Sequence, residues 1–294
     1  METDKETKPE DAKEARSEEQ KAPAAKKKRE PLVPQVYLRE EPPILLFHGT
    51  GGVGKTTLAS MFPGAIFMFT ENGQRDHKVA TLQAEPYATF DDLMSHMRDL
   101  WKAKRDGEKA FEHITTIVTD TLDKLQKLME EDVSNKVFKG QAFSEISKQQ
   151  NFQKYDALKE RAAAFSKALM RLRNDHGMAI VGLAHSAKSD NPHDVEGDGP
   201  QIWQYAIDKR MRLFWEGDTD AIGYIYHPQF TDEETGKTTS AKYPTITFKK
   251  NSFAETKTNY GLGEYRIKMS DDLFGDIFGS IPFYASKIKP KEKK

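Results

Sequence analysis

The stretch ILLFHGTGGVGKTTLASMF, residues 44–62, constrains this chain more than any other. Residues 44–48 are an unbroken apolar run ending in His48, the pattern of a strand buried on both faces. Glycines follow at positions 49, 51, 52 and 54, then Lys55, Thr56 and Thr57, and an amphipathic helix begins at Lys55. A buried strand that feeds a helix through a glycine-rich turn is half of a βαβ unit. It requires a parallel neighbour and helices on both sheet faces. With 294 residues, 37% hydrophobic and 31% charged, the chain can build one large core or two small ones.

The rest of the pattern agrees with that start. AIFMFTE (65–71), ITTIVTD (114–120) and MAIVGLAH (178–185) read as further buried strands. FDDLMSHMRDLWKAK (90–104), TLDKLQKLMEEDV (121–133) and the long YDALKERAAAFSKALMRLRNDHG read as helices, the last closed by Gly177 after His176. AIGYIYHP (221–228) and PTITFKK (244–250) flank a polar hairpin connection around Gly236. With no helix between them, they predict an antiparallel extension at one sheet edge.

Both ends differ from this core. Residues 1–31 are built from Glu, Lys, Ala, Asp and Pro and predict a disordered charged tail. Its KKKRE cluster at 26–30 reads as a solvated run. The domain is expected over 32–284, and a flexible basic tail over 285–294. A formal net charge of −1 gives no pointer to a polyanion or a membrane, and no long apolar run marks a span. The absence of cysteine excludes disulfides and thiolate chemistry and suits a reducing compartment, so a cytoplasmic location is expected.

The segment 49–56, GTGGVGKT, fits G-x-x-x-x-G-K-[ST]. Glycines let successive N–H groups turn inward as an anion nest, and a helix N-terminus adds its own unpaired N–H groups. Gly49, Thr50, Gly51, Gly52, Val53, Gly54, Lys55, Thr56 and Thr57 are therefore the candidate cradle for the phosphates of ATP. Lys55 reaches the terminal phosphates as a point charge, and the Thr56 hydroxyl is a candidate Mg²⁺ ligand. A second anchor for Mg²⁺ is an acid at the end of a strand beside the first. Asp120 fits, with helix capping as its plainer use. The residue after it is Thr121, so no glutamate follows directly, and Asp123 reads as surface. Glu71, closing its strand, is the candidate base for the attacking water if that strand neighbours the first. His185, closing the fourth strand, is the candidate γ-phosphate sensor. His48 reads as packing or hydrogen bonding. No guanine-reading N-K-x-D stands where it would be needed, which favours ATP over GTP.

In that order these features resemble the RecA-like ATPase core. MFTENG, TIVTDTLDKL, AIVGLAHSAKSD and ITFKKNSF look most like phage-encoded AAA-type ATP-binding proteins, some of which act in recombination and single-strand annealing. The likeness runs over about 43–267. It implies an α/β fold: a three-layer P-loop NTPase with a RecA-like, mostly parallel sheet and an antiparallel edge extension. It also implies Mg²⁺-dependent ATP hydrolysis, assembly into a homo-oligomeric ring or filament, single-stranded DNA as a partner, no membrane, and a host cytoplasm. A basic residue from a neighbouring subunit would act in trans, with Lys249 and Lys250 as candidates; Arg210 and Arg212 stand behind them, a solvated helix face in IDKRMRLFW being their preferred reading. The segment 186–201, SAKSDNPHDVEGDGPQ, stands where a DNA loop is expected, yet Lys188 is its one lysine or arginine. Trp203, Tyr205 and Trp215 are aromatics able to stack on bases, core packing being their plainer use.

Overall fold

Among the described residues, alternating strands and helices build one ten-stranded mixed sheet, with a two-stranded hairpin apart from it. The computed structural model describes residues 40–72, 78–190, 201–268, 270 and 272–285. Both expected tails (residue 285 apart) and positions 191–200 lie outside the described residues. In chain order the elements are β1 (Ile44–Gly49), α1 (Lys55–Ala59), β2 (Ala65–Phe69), β3 (Ala80–Thr81), α2 (Phe90–Arg105), α3 (Lys109–Glu112), β4 (Thr116–Asp120), α4 (Leu122–Val137) and α5 (Asn151–His176). There follow β5 (Ala179–Ser189), β6 (Ile202–Tyr205), α6 (Lys209–Glu216), β7 (Ala221–Tyr226), β8 (Gln229–Thr231), β9 (Thr238–Ser240), β10 (Thr245–Thr247), β11 (Lys257–Thr258), β12 (Glu264–Arg266), α7 (Leu273–Phe278) and α8 (Pro282–Ala285).

Local chemistry sets the helix ends. The Thr89 hydroxyl accepts from the Asp92 N–H at the start of α2, Asp91 and Asp92 occupy its first turn, and Lys102, Lys104 and Arg105 its last. α5 ends where Gly177 adopts φ 65°, and its N–H caps the Arg173 carbonyl.

The sheet runs β12-β10-β7-β1-β5-β4-β2-β3. From β7 to β3 every pair is parallel. β10 and β11 pair antiparallel with β7, and β12 antiparallel with β10. β8 and β9 form the separate hairpin expected around Gly236. The fold is therefore α/β, a mostly parallel sheet covered on both faces, with antiparallel edge strands. One expectation is corrected: β7 belongs to the parallel set, because α6 precedes it and carries the chain back across the sheet. Among the described residues β10, β11 and β12 make the antiparallel edge extension.

Alternation along β1 divides the core. Ile44 and Leu46 pack with α2, α4 and α5 on one face; Leu45 and Phe47 pack with α1, α7 and α8 on the other. Both faces are covered, which is why the central strands are apolar throughout. The register then brings the carboxyl ends of the parallel strands level. Gly49 stands opposite His185, Leu183 opposite Asp120, and Asp120 opposite Phe69. In open sheets of this kind ligands bind beyond those ends.

Candidate nucleotide site at the strand ends

Gly49, the last residue of β1, is buried against its neighbour. A Cβ there would lie 2.5 Å from the Ile225 carbonyl oxygen of β7 and 2.7 Å from Val53 Cγ1. The turn beyond it passes through two left-handed glycines, Gly52 at φ 73° and Gly54 at φ 96°, and Gly54 is the N-cap residue of α1. Thr50, Gly51 and Gly52 are exposed, Val53 is buried, and Thr57 lies half-buried in α1. α1 itself is short, so its unpaired N–H groups act together with those of the turn.

Lys55 folds back over this turn. Its ammonium donates to the carbonyls of Gly49 at 3.0 Å and Thr50 at 2.9 Å. Burial pulls its pKa below the ordinary lysine value, against the opposing charges of Asp120, Asp123 and Glu71. Thr56 Oγ1 donates to Asp120 Oδ2 at 2.7 Å. Burial pushes the Asp120 carboxyl up to about 6; the Thr56 bond opposes the rise, the Glu71 charge adds to it, and Lys55 and His185 oppose it. The Asp120–Thr121 peptide bond is cis. Beyond it Thr70 clamps the chain, its hydroxyl donating to the Thr121 carbonyl and accepting from the Thr121 N–H, both at 2.8 Å.

Two strand placements differ from expectation. β4 is not beside β1: β5 lies between them. β2 is not a neighbour of β1 either; it is separated from β1 by β5 and β4. Asp120 still reaches Thr56, because α1 packs over both β1 and β5. Glu71 still reaches the site by facing His185, with Oε1 3.8 Å from Nε2. His185 does not end its strand. β5 runs on to Ser189, because residues 186–189 pair antiparallel with β6.

Sequence reasoning missed one residue of this cluster. Asp123, expected on the surface, turns inward from the first turn of α4, and its side chain is only 14% exposed. Its Oδ1 accepts the His185 backbone N–H at 3.0 Å and its Oδ2 meets His185 Nδ1 at 3.0 Å. That carboxylate bond raises the His185 pKa against partial burial. Burial pushes the Asp123 carboxyl up, but the hydrogen bonds and charge of His185 outweigh it and hold it below its usual value. The available signal was an acid in the first turn of the helix that follows the Asp120 strand.

Comparison with known protein families matches residues 41–258 to the family described as an AAA domain. The chain belongs to this family. An AAA domain implies nucleotide binding and suggests an ATPase. No curated protein matches the chain. No helix among the described residues of this AAA domain is long and apolar enough to cross a membrane.

The remaining expected residues lie outside the cluster. Lys249 and Lys250 follow β10 and are exposed. Arg212 is not a solvated residue. Its guanidinium donates to Gln204 Oε1 at 2.6 Å, to the Tyr205 and Ile207 carbonyls at 2.9 Å, and to Glu255 Oε2 at 3.3 Å. Arg210 packs over the Tyr155 ring at 3.8 Å. Tyr205 is buried and Trp215 packs against the core. Trp203 is half-buried and stacks on Tyr224.

Proposed function

We propose that this AAA domain binds ATP with Mg²⁺ in the 49–57 cradle and hydrolyses it. The observation that carries the reading is the approach of Thr56 Oγ1 to Asp120 Oδ2 at 2.7 Å beside a backbone turn built for an anion. These two oxygens fit Mg²⁺, a hard cation usually held by one or two protein ligands plus phosphates. Among the described residues no group of three or more acids and histidines forms a metal cage of its own. Held there by Thr56 and Asp120, Mg²⁺ would supply positive charge that neutralises the phosphates. Lys55 exchanges its two loop carbonyls for phosphate oxygens. Glu71 orients the attacking water and accepts its proton, and His185 hydrogen-bonds the terminal phosphate and carries its loss into β5 and β6. Mg²⁺-dependent phosphate release from ATP tests this. The wild type turns over; Glu71→Gln binds ATP but does not. A wild type without turnover in any condition overturns the enzymatic reading.

A second reading couples this turnover to single-stranded DNA, in recombination or annealing. The series Trp203, Tyr224, Tyr226 and Phe253 favours it. Trp203 and Tyr224 stack at 6.4 Å, Tyr224 and Tyr226 at 5.4 Å, and Phe253 closes edge-on over both tyrosines. Phe253 is 41% exposed, and Lys188 Nζ lies 5.5 Å from the Trp203 ring. Tyr224 is buried and backs the others; the partly exposed rings of Trp203, Tyr226 and Phe253 beside a lysine are the elements of a base-stacking surface. Assembly into a ring or filament goes with this reading, exposed Lys249 and Lys250 reaching the phosphates of a neighbour. ATPase assays with and without single-stranded DNA, at low and moderate salt, separate the readings. Unchanged rates and no salt-sensitive binding leave a DNA-independent, partner-regulated ATPase.

A further inference from the structure

The sheet register explains why an acid in α4 reaches a histidine in β5. β4 ends at Asp120 opposite Leu183, and α4 starts two residues later, so its first turn stands over the next outward position of β5, His185. Asp123 then holds His185 at two points, main chain and ring. A carboxylate only accepts, so the hydrogen shared at Nδ1 belongs to the ring. Nε2 is left as the free ring atom, and it faces Glu71. At 3.8 Å that approach is longer than a hydrogen bond yet within strong electrostatic reach. Charged groups act on His185 from each side: Asp123 from α4, Glu71 beyond β2, Lys55 from α1, and Asp120 at the end of β4.

We infer that Asp123 is a positioning residue: it locks His185 with Nδ1–H against its own carboxylate and Nε2 toward Glu71. It thereby fixes the direction in which the candidate sensor and the candidate base face each other. The inference deepens the proposed ATPase reading and rests on it for its catalytic meaning. The locked ring orientation does not depend on that reading.

The test uses the full chain and three variants, Asp123→Asn, Asp123→Ser and Asp123→Glu. Asparagine keeps the size and can still accept the His185 N–H, but it then turns an NH₂ donor toward Nδ1 and forces the other tautomer. Ring ¹⁵N shifts of His185, assigned against His185→Gln, are read in the nucleotide-free protein. The wild type is expected to show a protonated Nδ1 near neutral pH, and Asp123→Asn a neutral ring protonated at Nε2. Identical ring shifts in the two proteins overturn the inference. In ATPase assays kcat is expected to fall roughly 10- to 100-fold in the asparagine and serine variants, with KM for ATP within about twofold and partial recovery in Asp123→Glu. An unchanged kcat, or a loss that tracks melting temperature across the three variants, also overturns it. Should the wild type show no turnover, the ATPase reading fails while the ring spectrum still decides whether Asp123 locks His185. If asparagine prevents folding, the serine variant, which removes the carboxylate, is expected to lose the wild-type Nδ1–H signature, and ring shifts identical to wild type overturn the inference.

Discussion

Two histidines stand where the parallel pairing of β1 with β5 ends, and the molecule treats them in opposite ways. His48 on β1 is fully buried; its Nδ1 meets Ser186 Oγ at 2.9 Å and its Nε2 meets the Glu255 carbonyl at 2.8 Å. His185 on β5 is half-buried and held by the Asp123 carboxylate, with its other nitrogen toward Glu71. Burial draws the His48 pKa down to about 4, the Glu255 bond opposes it, and Arg212 and Lys55 reinforce it. The Asp123 bond moves His185 the other way. Burial and partner chemistry together make one ring a neutral strut and the other a polar group facing the candidate nucleotide site.

The comparison can be broken from its strongest side first. Glu71→Gln is expected to cut ATP turnover by about 10²–10⁴ while sparing ATP binding and stability, measured by phosphate release, calorimetry and melting. If turnover persists, the ring facing Glu71 has no catalytic partner and the contrast loses its functional half.

The structural half is tested by His48→Ala. It leaves the Ser186 hydroxyl and the Glu255 carbonyl short of a partner in a closed space. A loss of roughly 2–4 kcal/mol in denaturant unfolding is expected, with turnover per folded molecule nearly unchanged. His185→Gln should show the reverse: turnover down by about tenfold or more, and stability within about 1 kcal/mol. Equal stability losses in the two variants would erase the distinction.

Acidity sharpens the contrast, because the signs differ. The His48 ring titrates near 4 when folded but near 6.5 when unfolded. Between those values the unfolded chain binds more protons, so the His48 contribution weakens as pH falls from about 6.5 toward 4. His185 has its folded value raised above 6.5. Its contribution is complete below 6.5 and is lost as pH rises through the folded value. Unfolding free energies from pH 4.5 to 8.5 in wild type, His48→Ala and His185→Gln should therefore diverge from wild type at opposite ends of the range. Divergence at the same end contradicts the assignment.

Much of this was legible beforehand. β1, β4 and the glycine turn are readable because an apolar run, spaced glycines and a terminal acid are local signals, and α5 is readable from its period and Gly177. What escaped reading depends on distant pairing. β5 was expected to stop at His185, but residues 186–189 pair with β6, and nothing local announces that partner. β7 was assigned to the edge because the crossover role of α6 went unread. Asp123 was set on the surface because its neighbour is a strand 62 residues away, visible only once β4 and β5 are paired. Arg212 reads as solvated for the same reason: its partner Glu255 lies 43 residues away.

The most direct test of the central claim is calorimetric ATP binding with and without Mg²⁺, in wild type, Lys55→Ala and Asp120→Asn. The account predicts Mg²⁺-strengthened binding in wild type, loss of binding in Lys55→Ala, and binding in Asp120→Asn that Mg²⁺ no longer strengthens. Equal affinities in all three proteins, unaffected by Mg²⁺, would contradict it.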